Sequence, residues 1–210
     1  HLRFLQGSAL ATLLMGLRGT VFIYQGEELG SENGKFNSIE EYDDLNTKDQ
    51  YRRALCAGYD EAQSLKFVND RSRDNSRMPF PWTAEANGGF TSGMPWLKCN
   101  DDYAAICAKK QEQDKDSLLH YYRNLIRIRK DEANRECLIY GEVREIENAV
   151  ESVIAFERIA ENGEKIQIWI NMSDEIQQAD IAEGEILCNN YSETSQKSLN
   201  PYQAVIVRRR

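Results

Sequence analysis

The chain has 210 residues, 41% hydrophobic and 10% aromatic, which is enough for one large domain or two smaller ones with a real core. Its formal net charge of −8 argues against a broad basic surface, so neither nucleic acid nor an anionic membrane is an expected partner. The five cysteines (Cys56, Cys99, Cys107, Cys137, Cys188) are scattered and form no CxxC pair, and the only histidines are His1 and His120. Free thiols in a reducing cytoplasm are therefore expected, with no disulfide framework, metal, cofactor or Ser-His-Asp triad.

Leu2 to Leu17 carries apolar residues at helical spacing (Leu5, Ala9, Leu10, Leu13, Leu14, Leu17), and Gly16 and Gly19 bracket the end of the predicted helix. Arg3 followed by Ala9–Leu17 imitates a short signal peptide, but no small-residue cleavage site precedes a plausible mature start. No run reaches the roughly 18 to 20 apolar residues that span a bilayer. The first residue is His rather than Met, and a larger protein divided within a domain is expected. Thr20-Val21-Phe22-Ile23-Tyr24 is an uninterrupted run of β-branched and aromatic residues, predicting a strand buried on both faces of a parallel sheet. Gln25-Gly26-Glu27-Glu28 then places two adjacent carboxylates past the strand's end, where α/β barrels carry their active-site loops.

Ser38-Ile39-Glu40-Glu41 reads as a capping box opening a short helix. Two further helices are predicted between Asn46 and Val68, divided near Gly58, with the acidic run Glu40–Asp44 as a solvated face. Periodicity vanishes from Asn69 to Asn100, which predicts a long functional loop, and Trp82, Trp96 and Phe90 are expected there as buried anchors more than as sugar-stacking platforms. Tyr103–Lys110 reads as a short helix and Ser117–Lys130 as an amphipathic one. Beyond Asn134 the period changes. Leu138–Ile146, Ser152–Ile159, Lys165–Asn171, Glu185–Asn190 and Ala204–Arg208 are short runs separated by turn signals, which predicts an antiparallel β domain. The basic run Arg208-Arg209-Arg210 is expected to be a solvated, fraying end.

Two stretches carry a resemblance. Gly19–Gly30 (GTVFIYQGEELG) is similar to the eighth barrel strand and following loop of the α-glucosidase branch of the α-amylase superfamily, with Val21 where that family has Pro. Ser72–Trp82 (SRDNSRMPFPW) resembles the SRDN(A/S)RTPMQW segment of oligo-1,6-glucosidases, trehalose-6-phosphate hydrolases, dextran glucosidases and sucrose isomerases, departing from it at Met78, Phe80 and Pro81. The likeness continues in register through Gly89-Phe90-Thr91, Pro95-Trp96 and Asn100 with Tyr103, and is weakest in the β region.

This resemblance implies an α/β plus all-β chain: residues 1–133 as the last part of a (β/α)8 TIM barrel, and residues 134–210 as a C-terminal antiparallel β-sandwich domain. It implies a retaining, exo-acting α-glucosidase as the whole protein, with an oligosaccharide substrate and the N-terminal part of the barrel as partners. Its nucleophile, acid/base and third carboxylate would all precede His1, so no catalytic residue is expected within the chain, which alone should be inactive. Arg73 is the implied contact to the non-reducing-end glucose, and Glu27 and Glu28 are implied at the pocket rim or bonded to Arg73. A surface arginine neutralising Asp74 is the alternative for Arg73, and structural strand-end carboxylates the alternative for Glu27 and Glu28. Asp74, Asn75 and Arg77 are expected to support the loop. Two other readings of the chain are open, part of a glucosyl-transferring sucrose isomerase or trehalose synthase, and an independent carbohydrate-binding or interaction module.

Overall fold

The computed structural model describes residues 1–147 and 150–209; Arg210 of the basic terminus lies outside them. The chain forms two compact units, His1–Ile23 with Asp116–Arg210, and Tyr24–Lys115.

In the first unit, helix α1 (Leu2–Gly16) forms where the apolar spacing predicts it but buries Leu5, Ala9, Ala11 and Met15; of the expected apolar set, Leu13 and Leu14 are half-buried and Leu10 and Leu17 are exposed. Ser8 and Thr12 are buried with them because their hydroxyls donate back to the carbonyls of Leu5 and Ser8, at 3.0 and 2.8 Å. The last turn of a helix leaves carbonyls without partners. Here two buried arginines fill that role: Arg158 donates to Gly16 O (2.7 Å), Leu138 O (2.8 Å) and Gly141 O (2.9 Å), and Arg129 donates to the carbonyls of Met15, Leu17 and Gly19. Burial lowers the Arg158 pKa to about 10, which leaves it charged at any physiological pH.

In the second unit, α2 (Leu45–Cys56) and α3 (Glu61–Asn69) are the two helices predicted around Gly58, whose φ of 93° suits glycine alone. The capping box belongs to Asp60 and Gln63 at the head of α3, and not to Ser38. Residues 39–41 make only one 3-10 turn, and Glu41 turns back to accept the amide of Asn37. Cys107 breaks the predicted helix at 103–110 into α4 (Tyr103–Ile106) and α5 (Ala108–Gln113). The small core of this unit gathers Phe36, Tyr42 and Val68, with the Phe36 and Tyr42 rings 4.3 Å apart.

Returning to the first unit, α6 (Leu118–Lys130) is capped by the Ser117 hydroxyl and buries Leu118, Tyr121, Tyr122, Leu125 and Ile128. Among the described residues seven strands follow: β1 (Glu142–Glu145), β2 (Val153–Ile159), β3 (Lys165–Asn171), β4 (Gln177–Gln178), β5 (Gly184–Asn189), β6 (Ser198–Leu199) and β7 (Ala204–Arg209). Five form an antiparallel sheet in the order β1-β2-β3-β7-β5, and β4 pairs with β6 as a ribbon. Period-two alternation sends Ile166, Ile168 and Ile170 into a core shared with α1 and α6, while Trp169, Val205 and Val207 face a second core closed by Ile181 and Leu199. The central strands are thereby covered on both sides.

Three expectations change. Thr20–Tyr24 forms no strand and pairs with none among the described residues, and Phe22 is 81% exposed, so it is not buried on both faces. A parallel strand forms only beside neighbours that supply its ladder. Residues 136–140 form a π-helical turn and not the start of a strand, which begins at Glu142. Arg208 and Arg209 do not fray: they end β7, paired with Glu185 and Glu157.

Candidate functional site

Every residue singled out in the sequence as a site residue falls in the second unit. The chain first makes a tight loop, with Gly26 (φ 93°) and Gly30 (φ 72°) flanking a 3-10 turn at Glu27–Leu29. Glu28 closes this loop on itself, its Oε2 accepting the Gly26 amide at 2.7 Å while burial pushes its carboxyl up from the ordinary range. Glu27, by contrast, reaches a cleft of about 330 Å³ lined also by Tyr24, Glu32, Asp70, Arg71 and Phe80.

The segment Ser72–Arg77 is a second short turn, and what holds it is a set of bonds to residues 43–47. Asp74 is fully buried. Its Oδ2 accepts the amides of Asp43 (2.8 Å) and Asp44 (2.9 Å), and its Oδ1 accepts Arg77 Nη1 at 3.4 Å. Asn75 ties the loop to its surroundings from both ends of its amide, accepting Gly34 N at 3.1 Å and donating to Asn69 O at 2.6 Å. These contacts give Asp74, Asn75 and Arg77 a loop-holding geometry.

Arg73 makes its hydrogen bonds to neither Asp74 nor the Glu27-Glu28 pair, although the nearby Asp74 charge also favours its charged form. Its Nε (3.1 Å) and Nη2 (2.5 Å) both donate to Oδ1 of Asp44, a buried residue. The guanidinium holds the Asp44 carboxyl at about 2, helped by Thr47, whose hydroxyl (2.8 Å) and amide (3.3 Å) donate to Oδ2. Asp44 is also the N-cap of α2. Its role was hidden because the acidic run at 40–44 reads as a solvated face; the Asp-x-x-Thr spacing ahead of a helix is the local signal that marks it.

The aromatic residues differ from expectation as well. Trp82, Trp96 and Phe90 are 54%, 65% and 53% exposed, so none is a buried anchor. Trp96 Nε1 donates to Asp43 Oδ2 at 3.0 Å, and Trp82 packs on Phe80 with centroids 4.6 Å apart. Among the described residues no cluster of His, Cys, Asp or Glu could hold a metal ion, and no helix is long and apolar enough to cross a membrane. All five cysteines are free thiols.

Comparison with known proteins places this geometry. The oligo-1,6-glucosidase of Halalkalibacterium halodurans is 34% identical over 206 residues, covering 93% of this chain and 36% of that protein. The trehalose-6-phosphate hydrolase of Escherichia coli is 33% identical over 204 residues, with the same 93% and 36% coverage. Among solved structures, the trehalulose synthase of Pseudomonas mesoacidophila superposes with a TM-score of 0.89 at 34% identity, over 98% of this chain and 38% of that one. The chain thus spans little more than a third of the length of the proteins it matches. The sequence pattern of the alpha-amylase catalytic domain matches residues 1–141, more than half of the chain, and the chain belongs to the alpha-amylase family.

Proposed function

We propose that the chain is the C-terminal part of a retaining, exo-acting α-glucosidase that hydrolyses short α-1,6- or α-1,4-linked glucosides. The observation that carries this reading is Arg73: a guanidinium fixed along one edge by a buried carboxylate, with its other edge open, on a loop whose sequence the family shares. A planar fork of donors suits neighbouring sugar hydroxyls. Glu27, at the cleft, is the rim residue in this reading, and Glu28 shapes the loop that presents it. The division is residues 1–133 as the end of the barrel and 134–210 as the β-sandwich domain, for which the ribbon packed over the sheet's second face gives support. In this reading barrel strands outside the chain are the natural partner of Thr20–Tyr24, which pairs with no strand among the described residues.

Chemistry in such an enzyme needs two carboxyl groups about 5 Å apart, one as nucleophile and one as acid/base. In this reading both come from segments preceding residue 1, and the 210-residue chain alone is inactive. The test is hydrolysis of p-nitrophenyl α-glucoside and isomaltose by the full-length enzyme, with NMR detection of the α-anomer released first. Release of the β-anomer first, or turnover by the isolated chain, refutes the proposal.

The likeness to trehalulose synthase supports a second reading, a glucosyl-transferring isomerase. Sugar analysis after incubation of the full-length enzyme with sucrose separates the two: free glucose and fructose mark hydrolysis, and a rearranged disaccharide marks isomerisation.

A further inference from the structure

We propose that Asp44 is a positioning residue of this site, holding the Arg73 guanidinium side-on so that its terminal edge is presented to two vicinal hydroxyls of a hexose. The inference rests on the α-glucosidase reading above and adds to it a residue that the loop motif does not contain.

The geometry is specific. An arginine has five N–H donors; Asp44 Oδ1 takes one from Nε and one from Nη2, the pair lying along one side of the planar group. Three remain with no bond among the described residues; one on Nη1 and one on Nη2 lie side by side at the tip, and the second on Nη1 points back beside the stem. The Arg73 side chain is 61% exposed although its partner carboxylate is 2% exposed, so the tip is reachable while the anchor is not. Two parallel donors at the tip match two neighbouring hydroxyl oxygens of one sugar ring.

Asp44 can fix this orientation because nothing about it is loose. Its amide donates to Asp74 Oδ2 at 2.9 Å, and its Oδ2 is held by Thr47. A hydroxyl has one hydrogen, so with the Thr47 hydroxyl donating to Asp44, the Ser72 hydroxyl 2.8 Å away donates to Thr47 and itself accepts the Asp74 amide at 3.2 Å. The carboxylate is thus set by contacts from both sequence segments, 44–47 and 72–74. The guanidinium inherits that position and need not be ordered when substrate arrives, which is how preorganisation lowers the cost of binding.

The test is a double-mutant cycle in the full-length enzyme. Asp44→Asn retains a competent helix cap, and Asp44→Ser, also a good cap but too short to reach Arg73, is the second variant if the first fails to fold. The expected result is a loss of about 10-fold or more in kcat/KM on isomaltose, carried mainly by KM, that shrinks to less than about twofold in the Arg73→Ala background. An equal loss with and without Arg73, or no loss with Arg73 present, overturns the proposal. A wild-type enzyme inert toward α-glucosides instead refutes the function proposed above. The anchoring is then decided on the 210-residue chain by the Arg73 Nε–Hε NMR signal, which is expected to be protected from exchange near neutral pH and to lose that protection in Asp44→Asn; an unprotected signal in the wild-type chain overturns it.

Discussion

Replacing Asp74 tests whether the arginine-bearing turn is held by a single buried carboxylate. Asp74→Ala removes the acceptor for the Asp43 and Asp44 amides, and charge-assisted bonds of this kind contribute about 1.5 to 3 kcal/mol each. Asp43 is exposed, so water can replace its lost partner, whereas Asp44 is buried and its amide is left unsatisfied. Arg77 lies at 3.4 Å with its side chain a third exposed, and its pairing adds less than about 1 kcal/mol. Against these losses stands the relief of no longer burying a carboxylate. The balance is a destabilisation of about 2 to 4 kcal/mol. Asp74→Asn keeps one oxygen for both amides but turns an NH2 toward Arg77, for a loss of about 1 to 2 kcal/mol. Urea unfolding followed by tryptophan fluorescence checks both values. A loss below about 0.5 kcal/mol for Asp74→Ala, or a larger loss for Asn than for Ala, would show that something other than this carboxylate organises the turn.

Ile168 is fully buried between sheet and α1, so Ile168→Ala should cost about 3 to 5 kcal/mol in urea unfolding, while Phe22→Ala, 81% exposed, should change the 210-residue chain by less than about 0.5 kcal/mol. At Gly141 an added Cβ would lie 2.4 Å from Cys137 O and 2.8 Å from Ile159 O, so Gly141→Ala is expected to lower the melting temperature by several degrees through backbone displacement. Asp44 titrates near 2 in the folded chain against an ordinary 3.8. Its contribution to stability is complete above about pH 4 and is lost as pH falls through 2. Melting temperatures of wild type and Asp44→Asn, measured from pH 5 down to pH 2, should therefore converge at the acid end; parallel curves would refute the linkage. Arg73→Lys keeps the charge but not the planar edge, and in the full-length enzyme it should lose kcat/KM nearly as fully as Arg73→Ala.

Local signals carried much of the fold. The apolar spacing of α1 and α6, the Gly58 break and the alternation in β2, β3 and β7 depend on neighbours close in sequence, and each element formed within a few residues of its expected place. Elements that depend on distant partners were less legible. Thr20–Tyr24 has strand composition, but composition provides no ladder, and no described strand pairs with it. Cys137-Leu138-Ile139-Tyr140 has the apolar content of a strand, yet Cys137 and Leu138 pack into the core from a π-helical turn. At the site, the motif around Arg73 was readable, whereas its partner lies 29 positions earlier in an acidic run whose members look interchangeable. Of these, Asp44 alone sits one residue before a helix with a threonine three positions on, and tertiary folding turns that cap into the arginine's anchor.

The joint between α1 and the sheet is read by Arg129 and Arg158 entirely through main-chain oxygens. A peptide carbonyl looks alike whatever residue bears it, so the joint places little demand on the exposed side chain at 17, and mutational drift there can proceed without a compensating change, whereas Met15 is fixed by the core it packs in. The burden of conservation shifts onto the two arginines. Deep mutational scanning of this unit should show a permissive position at Leu17 beside two, Arg129 and Arg158, that accept almost nothing, an asymmetry that a salt bridge, which ties the fate of both partners together, would not produce.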